Sequence, residues 1–322
     1  MGTLASNVQI KKASLIPPSD PTPTHILKLS SIDSQLFLRF TIEYLLIYPS
    51  IRSNIFDQAA FTSRVKAALG RALVPYYPLS GRVRARPDNS CLEVICRGQG
   101  AVFIEAESEF NVTDFENAPR YVTEWRKLLA LEVTDVLKGC PVLVVQLTWL
   151  NDGGVAVGIG FSHCVCDGVG SVEFLNLFAK LSNGCLSRKT TSDLKPKPVW
   201  QRSLLDPTSF KEHNPRYATE LIKEAKNRVD DKFVKEVVNS VSLKGASCVP
   251  DSVGVLILSQ WSKLGLESVD FGIGRPVQVG PVCTDRYCIL LPVHDHSRSI
   301  KVMLAVPSVA VDKYVDLITA VD

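Results

Sequence analysis

His163 and Asp167 stand four residues apart in Gly160-Phe-Ser-His163-Cys-Val-Cys-Asp167-Gly168-Val-Gly170, residue types suited to proton transfer. An unperturbed imidazole titrates near pH 6.5, so His163 can take a proton from a hydroxyl or an amine close to working pH. Asp167 either orients that ring or anchors the local backbone through a salt bridge. The competing reading is a buried histidine with its hydrogen bonds met and an aspartate capping the next helix, because short motifs also arise without function. Gly168 and Gly170 allow positive φ and close backbone approach, which favours the functional reading.

The flanking residues say what holds this pair. Val155, Val157, Ile159 and Phe161 alternate with Gly and Ala, the pattern of a buried strand. Val172, Leu175, Phe178, Ala179 and Leu181 then fall at helical spacing. His163 therefore sits at a strand-to-helix corner, where an α/β protein can hold a reactive side chain on rigid backbone. Asn151-Asp-Gly-Gly154 predicts a hairpin turn into that strand from another over 141–149. Further strands are predicted over 7–16, 40–48, 92–96, 102–106, 253–259, 287–293 and 300–306. Helices are predicted over 57–73, 216–240 and 308–321. In Tyr77-Pro-Leu-Ser-Gly81-Arg82 the prolines stop the preceding helix and Gly81 permits a tight turn. The polar, proline-bearing stretch 187–198 reads as a linker.

A length of 322 residues suggests about two domains, and 46% hydrophobic against 21% charged residues supports a large core. A dispersed net charge of +3 argues against nucleic acid as a partner. No run of 18 apolar residues occurs, so no transmembrane helix is expected, and the N-terminus carries no secretory pattern. Met1-Gly2-Thr-Leu-Ala-Ser6 loosely matches an acylation signal at Gly2, without the polybasic second signal that stable anchoring requires. The nine cysteines lack paired spacing, as expected of thiols in the reducing cytoplasm. Cys164 and Cys166 beside His163 suggest zinc, but strand neighbours point to opposite faces and no second Cys/His pair has finger spacing, so no metal is expected.

Three motifs now stand in order: the turn at 77–82, His163-x-x-x-Asp167-Gly168, and Asp270-Phe-Gly272-Ile273-Gly274-Arg-Pro276. Asp-Phe-Gly alone also occurs in kinases, but neither a glycine-rich nucleotide loop nor a His-Arg-Asp loop accompanies it here. As an ordered set the motifs resemble the plant BAHD family of acyl-CoA-dependent acyltransferases, and the resemblance spans nearly the whole chain. It implies an α/β fold of two chloramphenicol-acetyltransferase-like domains, each of mixed sheet plus helices, with a channel between them. It also implies acyl-CoA as co-substrate, no permanently bound cofactor, a small alcohol or amine acceptor, and a cytoplasmic monomer. By the same resemblance His163 is the general base, whose acceptor attacks the thioester directly, while Asp167, Gly168, Asp270 and Gly272 support the site structurally.

Two departures qualify this. Ile273 stands where the family usually has tryptophan, which removes an indole donor and packing surface. The chain is also shorter than family members by on the order of a hundred residues, the gap falling between Asn214 and Arg216. The expected organisation is therefore an N-terminal domain over 1–186, a crossover remnant over 187–215 and an incomplete second domain over 216–322. The family's arginine partner of the motif aspartate lies in the missing stretch, so Asp167 is expected to be a buried charge without its partner, a costly arrangement. An alternative function follows: an inactive, BAHD-like binding or regulatory protein, or a truncated product without function.

Overall fold

A computed structural model describes residues 8–51, 56–88, 91–115, 128, 136–184, 227, 230–244, 257–281, 287–292, 300–304, 306 and 308–319. The Gly2 acylation match, the linker at 187–215 and the first part of the helix expected over 216–240 lie outside these residues.

The main sheet has six strands in the order β1-β6-β7-β8-β3-β10. These are β1 (Val8–Ile16), β6 (Ala101–Ser108), β7 (Leu143–Leu150), β8 (Val155–Ser162), β3 (Thr41–Tyr48) and β10 (Gln278–Pro281). Only β6 and β7 run parallel among these neighbours. A small antiparallel sheet joins β2 (His25–Lys28), β5 (Leu92–Cys96) and β4 (Arg82–Ala85).

The helices α1 (Gln58–Ala72) and α2 (Gly168–Ser182) cover one face of the main sheet. Period decides which residues they meet. Val155, Val157, Ile159 and Phe161 of β8 share one core with Phe61, Val65 and Leu69 of α1 and with Phe174, Leu175 and Phe178 of α2. Ala156 points the other way, into a second cluster with Leu45, Ile47, Phe115 and Leu128. All eight residues of β8 are buried, as a central strand covered on both faces requires. At Gly160 an added Cβ would come 2.8 Å from Thr41 Cγ2, so any side chain there would force Thr41 on the neighbouring strand to shift.

Boundary residues do what their chemistry suggests. Asp57 caps α1 by accepting from the Ala60 N–H at 2.9 Å, and Arg71 lies in the last turn, where a cation suits the helix dipole. The β7–β8 hairpin closes through Gly153, at φ 85°. The tight turn expected at 77–82 forms, with the Gly81 N–H donating to the Pro78 carbonyl at 3.0 Å; the Gly81 backbone is extended, and an added Cβ would lie 2.7 Å from the Ile95 carbonyl oxygen. Lack of space, not a left-handed turn, requires glycine there.

The C-terminal half is described in part. Its described sheet has three strands in the order β12-β11-β9, from β9 (Ile257–Gln260), β11 (Tyr287–Pro292) and β12 (Ile300–Leu304). Leu258, Ile300 and Val302 of this sheet are more than half exposed. Two further helices, α3 (Asp231–Lys244) and α4 (Val311–Thr319), belong to this half. The chain does not part cleanly at residue 216, because β10 returns to the edge of the main sheet and pairs Gln278 with Ile47 through Pro281 with Tyr44. The Tyr48 hydroxyl donates to the Val269 carbonyl at 2.9 Å, and the Val277 N–H to the Ile47 carbonyl at 2.7 Å.

Candidate active site

His163 follows β8 directly and precedes α2 by five residues, at the corner expected from the change of period. Its backbone N–H donates to the Phe40 carbonyl at 2.9 Å, extending the β3–β8 ladder, in which Thr41 opposes Ser162. The next residues close as a tight turn, with the N–H groups of Val165 and Cys166 both donating to the Ser162 carbonyl. The imidazole lies against the Phe40 ring, centroids 5.0 Å apart and planes inclined at 54°. Nδ1 is buried, and no other described residue hydrogen-bonds to it. Burial pushes the His163 pKa below the ordinary imidazole value, outweighing its own backbone, Asp167 and Asp33, which favour the charged ring. A neutral ring is the form able to accept a proton.

Asp167 corrects the expectation of a buried, unpartnered charge. It is exposed, and Oδ1 accepts from the Gly170 N–H at 2.7 Å as the N-cap of α2. No described cation pairs with it, and in water it needs none. Gly168 and Gly170 form the first turn of α2 and neither has positive φ, so the conformational argument for them fails. Crowding remains at Gly170, where an added Cβ would lie 3.2 Å from Asp167 Oδ1 and 3.3 Å from Cys166 Sγ. At Gly168 the nearest atom would be Leu264 Cδ1, an ordinary contact at 3.6 Å.

Three residues without a sequence signal complete the corner. Phe40 is the first. Tyr44, buried in β3, meets Ser171 Oγ at 2.6 Å, while that hydroxyl donates to the Gly168 carbonyl at 2.9 Å, which leaves Tyr44 as donor. Burial raises the Tyr44 pKa, so the phenol keeps the proton it donates. Trp261, from the C-terminal half, packs on the Tyr44 ring at 4.8 Å. These contacts join residues far apart in sequence, and no local pattern announces them.

Asp270 and Gly272 are not part of this corner. Asp270 Oδ1 accepts from the N–H groups of Gly272, Ile273 and Gly274 at 2.7, 3.1 and 3.0 Å, with both glycines at φ 89°. The left-handed backbone explains the glycines and the three-fold acceptor explains the aspartate. Phe271 is buried against Phe178 and Tyr48, and its carbonyl accepts from Ser182 Oγ at 3.3 Å. This loop thus packs at the C-terminal end of α2, roughly 22 Å along the helix from the His163 end at 1.5 Å per residue. Ile273 is half-buried against the main core.

A family model described as the transferase family matches residues 6–217 and 208–318. A hydroxycinnamoyltransferase from Narcissus pseudonarcissus is 34% identical over 209 residues, covering 63% of this chain and 44% of that protein. The chain spans less than half the length of the curated relatives it matches. Among solved structures, vinorine synthase superimposes with a TM-score of 0.65 at 18% identity, over 88% of this chain and 91% of that one. TRI101 of F. sporotrichioides, complexed with coenzyme A and T-2, gives 0.53 at 15% identity over 83% and 91%.

Proposed function

Because this chain belongs to the transferase family, among the plant BAHD acyltransferases, we propose that it moves an acyl group from a coenzyme A thioester to the hydroxyl or amine of a small acceptor, with His163 as general base. The observation that carries this reading is the His163 ring itself: buried enough to favour the neutral form, at the end of a rigid strand, with no other described residue hydrogen-bonded to its buried Nδ1. The complex of a structural neighbour with coenzyme A supports the choice of donor.

The imidazole takes the acceptor proton as the acceptor oxygen or nitrogen bonds to the thioester carbonyl carbon. The tetrahedral adduct collapses with cleavage of the carbon–sulfur bond. The imidazolium returns its proton to the departing sulfur, leaving an ester or amide and free coenzyme A. No acyl-enzyme forms, and Asp167 acts on the backbone of the corner without taking part in proton transfer.

Acceptor-dependent release of coenzyme A by the purified chain, over a panel of acyl-CoA donors, alcohols and amines, tests the proposal. Turnover should fall by about 10²–10⁴-fold in His163→Ala. Equal turnover in the two proteins would remove His163 from the mechanism. A second reading, a binding protein without catalysis, draws on the reduced length and on the exposed apolar side chains of the β12-β11-β9 sheet. A cooperatively folded chain that binds acyl-CoA yet turns over no donor–acceptor pair would establish it.

A further inference from the structure

A general base needs a defined ring orientation as well as a suitable pKa, and a hydrogen-bonded partner on the second nitrogen commonly provides it. No other described residue hydrogen-bonds to His163 Nδ1, which leaves the ring only its own backbone, and Asp167 is occupied with the α2 N-terminus. Phe40 touches His163 twice instead, by the backbone N–H to carbonyl bond and by the ring contact at 5.0 Å. Phe40 is half-buried and packs against the main core. The preceding Arg39 donates Nε and Nη2 to the Ser34 carbonyl at 3.1 and 2.9 Å, and buried Ser34 accepts from the Leu92 N–H at 2.9 Å.

We propose that Phe40 is the positioning residue of His163: its ring, packed on the imidazole, holds that ring in the orientation for proton abstraction, while its carbonyl fixes the His163 backbone. Tilted aromatic pairs of this kind favour particular relative orientations, so the contact constrains the ring and does not merely fill space. The Phe40 ring also keeps water from the imidazole, and its removal should let the His163 pKa climb back toward the ordinary value. Asp33 on the preceding turn and Asp167 at the helix cap act in that same upward direction, while Arg39 and the Cys164 thiol stand close by. This inference rests on the general-base reading of His163.

The test compares Phe40→Ala, Phe40→Leu and Phe40→Tyr with the unmodified chain. Phe110→Ala serves as the control: it truncates a half-buried aromatic packed on Phe115, at the opposite end of the sheet. A misplaced base costs about ten- to a hundred-fold in kcat, which is expected for Phe40→Ala with KM nearly unchanged. Phe40→Tyr should keep the activity, and Phe110→Ala should leave kcat alone. The imidazole resonances of His163, followed by NMR, should titrate at higher pH in Phe40→Ala and Phe40→Leu than in the parent, a readout that needs no turnover. If Phe40→Ala fails to fold, Phe40→Leu carries both measurements. Unchanged kcat and unchanged His163 titration, alongside a dead His163→Ala, would overturn the positioning role and leave the base intact. An active His163→Ala would instead remove the base reading, and this inference with it.

Discussion

Replacing Asp167 separates the two roles a motif aspartate can have beside a histidine. Its carboxylate is exposed and makes one described bond, at 2.7 Å from the Gly170 N–H at the start of α2. Asp167→Ala removes a helix cap, which costs about 1 kcal/mol in a range of roughly 0.5–2. Asp167→Asn keeps an acceptor oxygen and gives up only the charge–dipole attraction, about 0.3–1 kcal/mol at an exposed site. Even if the full loss of about 1 kcal/mol fell on the population of the competent corner, turnover would drop only about five-fold, since 1.4 kcal/mol corresponds to ten-fold. An aspartate that orients a catalytic histidine directly is worth about 10⁴-fold, and there Asn is no substitute. Urea denaturation and steady-state kinetics on the two variants decide the matter. Asn should sit closer to the parent than Ala in stability, and both should keep at least a tenth of its turnover. Loss of about a thousand-fold or more in Asp167→Asn, with stability retained, would refute the capping account and place the charge in the chemistry.

Burial depresses the His163 pKa, so the acid limb of kcat/KM should lie below the ordinary imidazole value of 6.5. The unfolded chain binds the proton more readily, so the contribution of His163 to stability is complete above about pH 6.5 and is lost as pH falls through the folded pKa. Urea midpoints of the parent and His163→Gln should therefore draw together on acidification, and parallel pH profiles would count against this. Tyr48→Phe leaves the Val269 carbonyl without its 2.9 Å donor inside the core, at a cost of about 1–3 kcal/mol. Amide exchange should then quicken at Val277, whose N–H ties β10 to the main sheet; unchanged exchange there would mean that the hydroxyl does not hold the strand.

What was legible in the sequence depended on period and punctuation. β8 and α2 were readable because eight alternating and fifteen helical positions each impose a pattern, and because Asp57, Gly153 and Asp167 mark boundaries by chemistry local to them. β10 was not readable, since four residues, Gln278–Pro281, are too few for a period and their partners on β3 lie in the other half of the chain. The same distance hid Phe40, Tyr44 and Trp261, which are ordinary core residues until the fold brings them to the corner. Burial was the weakest inference. The residues alone left Asp167 either orienting the ring or anchoring the corner, and the family resemblance that cast it as structural could not separate a solvent-facing cap from an interior charge, which differ by several kcal/mol in what a missing partner costs.

That distinction bears on how a shortened chain keeps its corner. A charge inside the protein would have made the integrity of the corner depend on an arginine from elsewhere; a cap in water depends only on the helix it starts. The contacts the corner does draw from the C-terminal half, Trp261 on Tyr44 and Leu264 toward Gly168, come from the same stretch as the Val269, Phe271 and β10 ties to Tyr48, Ser182 and β3. Residues 261–281 therefore tie the C-terminal half to the main sheet, adding an edge strand to it and packing both ends of α2. On the three-stranded β12-β11-β9 sheet, by contrast, Leu258 and Val302 stand 58% and 54% exposed. Stability and the base should thus respond to different parts of the second half: loss of the 261–281 ties disturbs the His163 corner, whereas polar substitutions on the exposed sheet face should leave it in place.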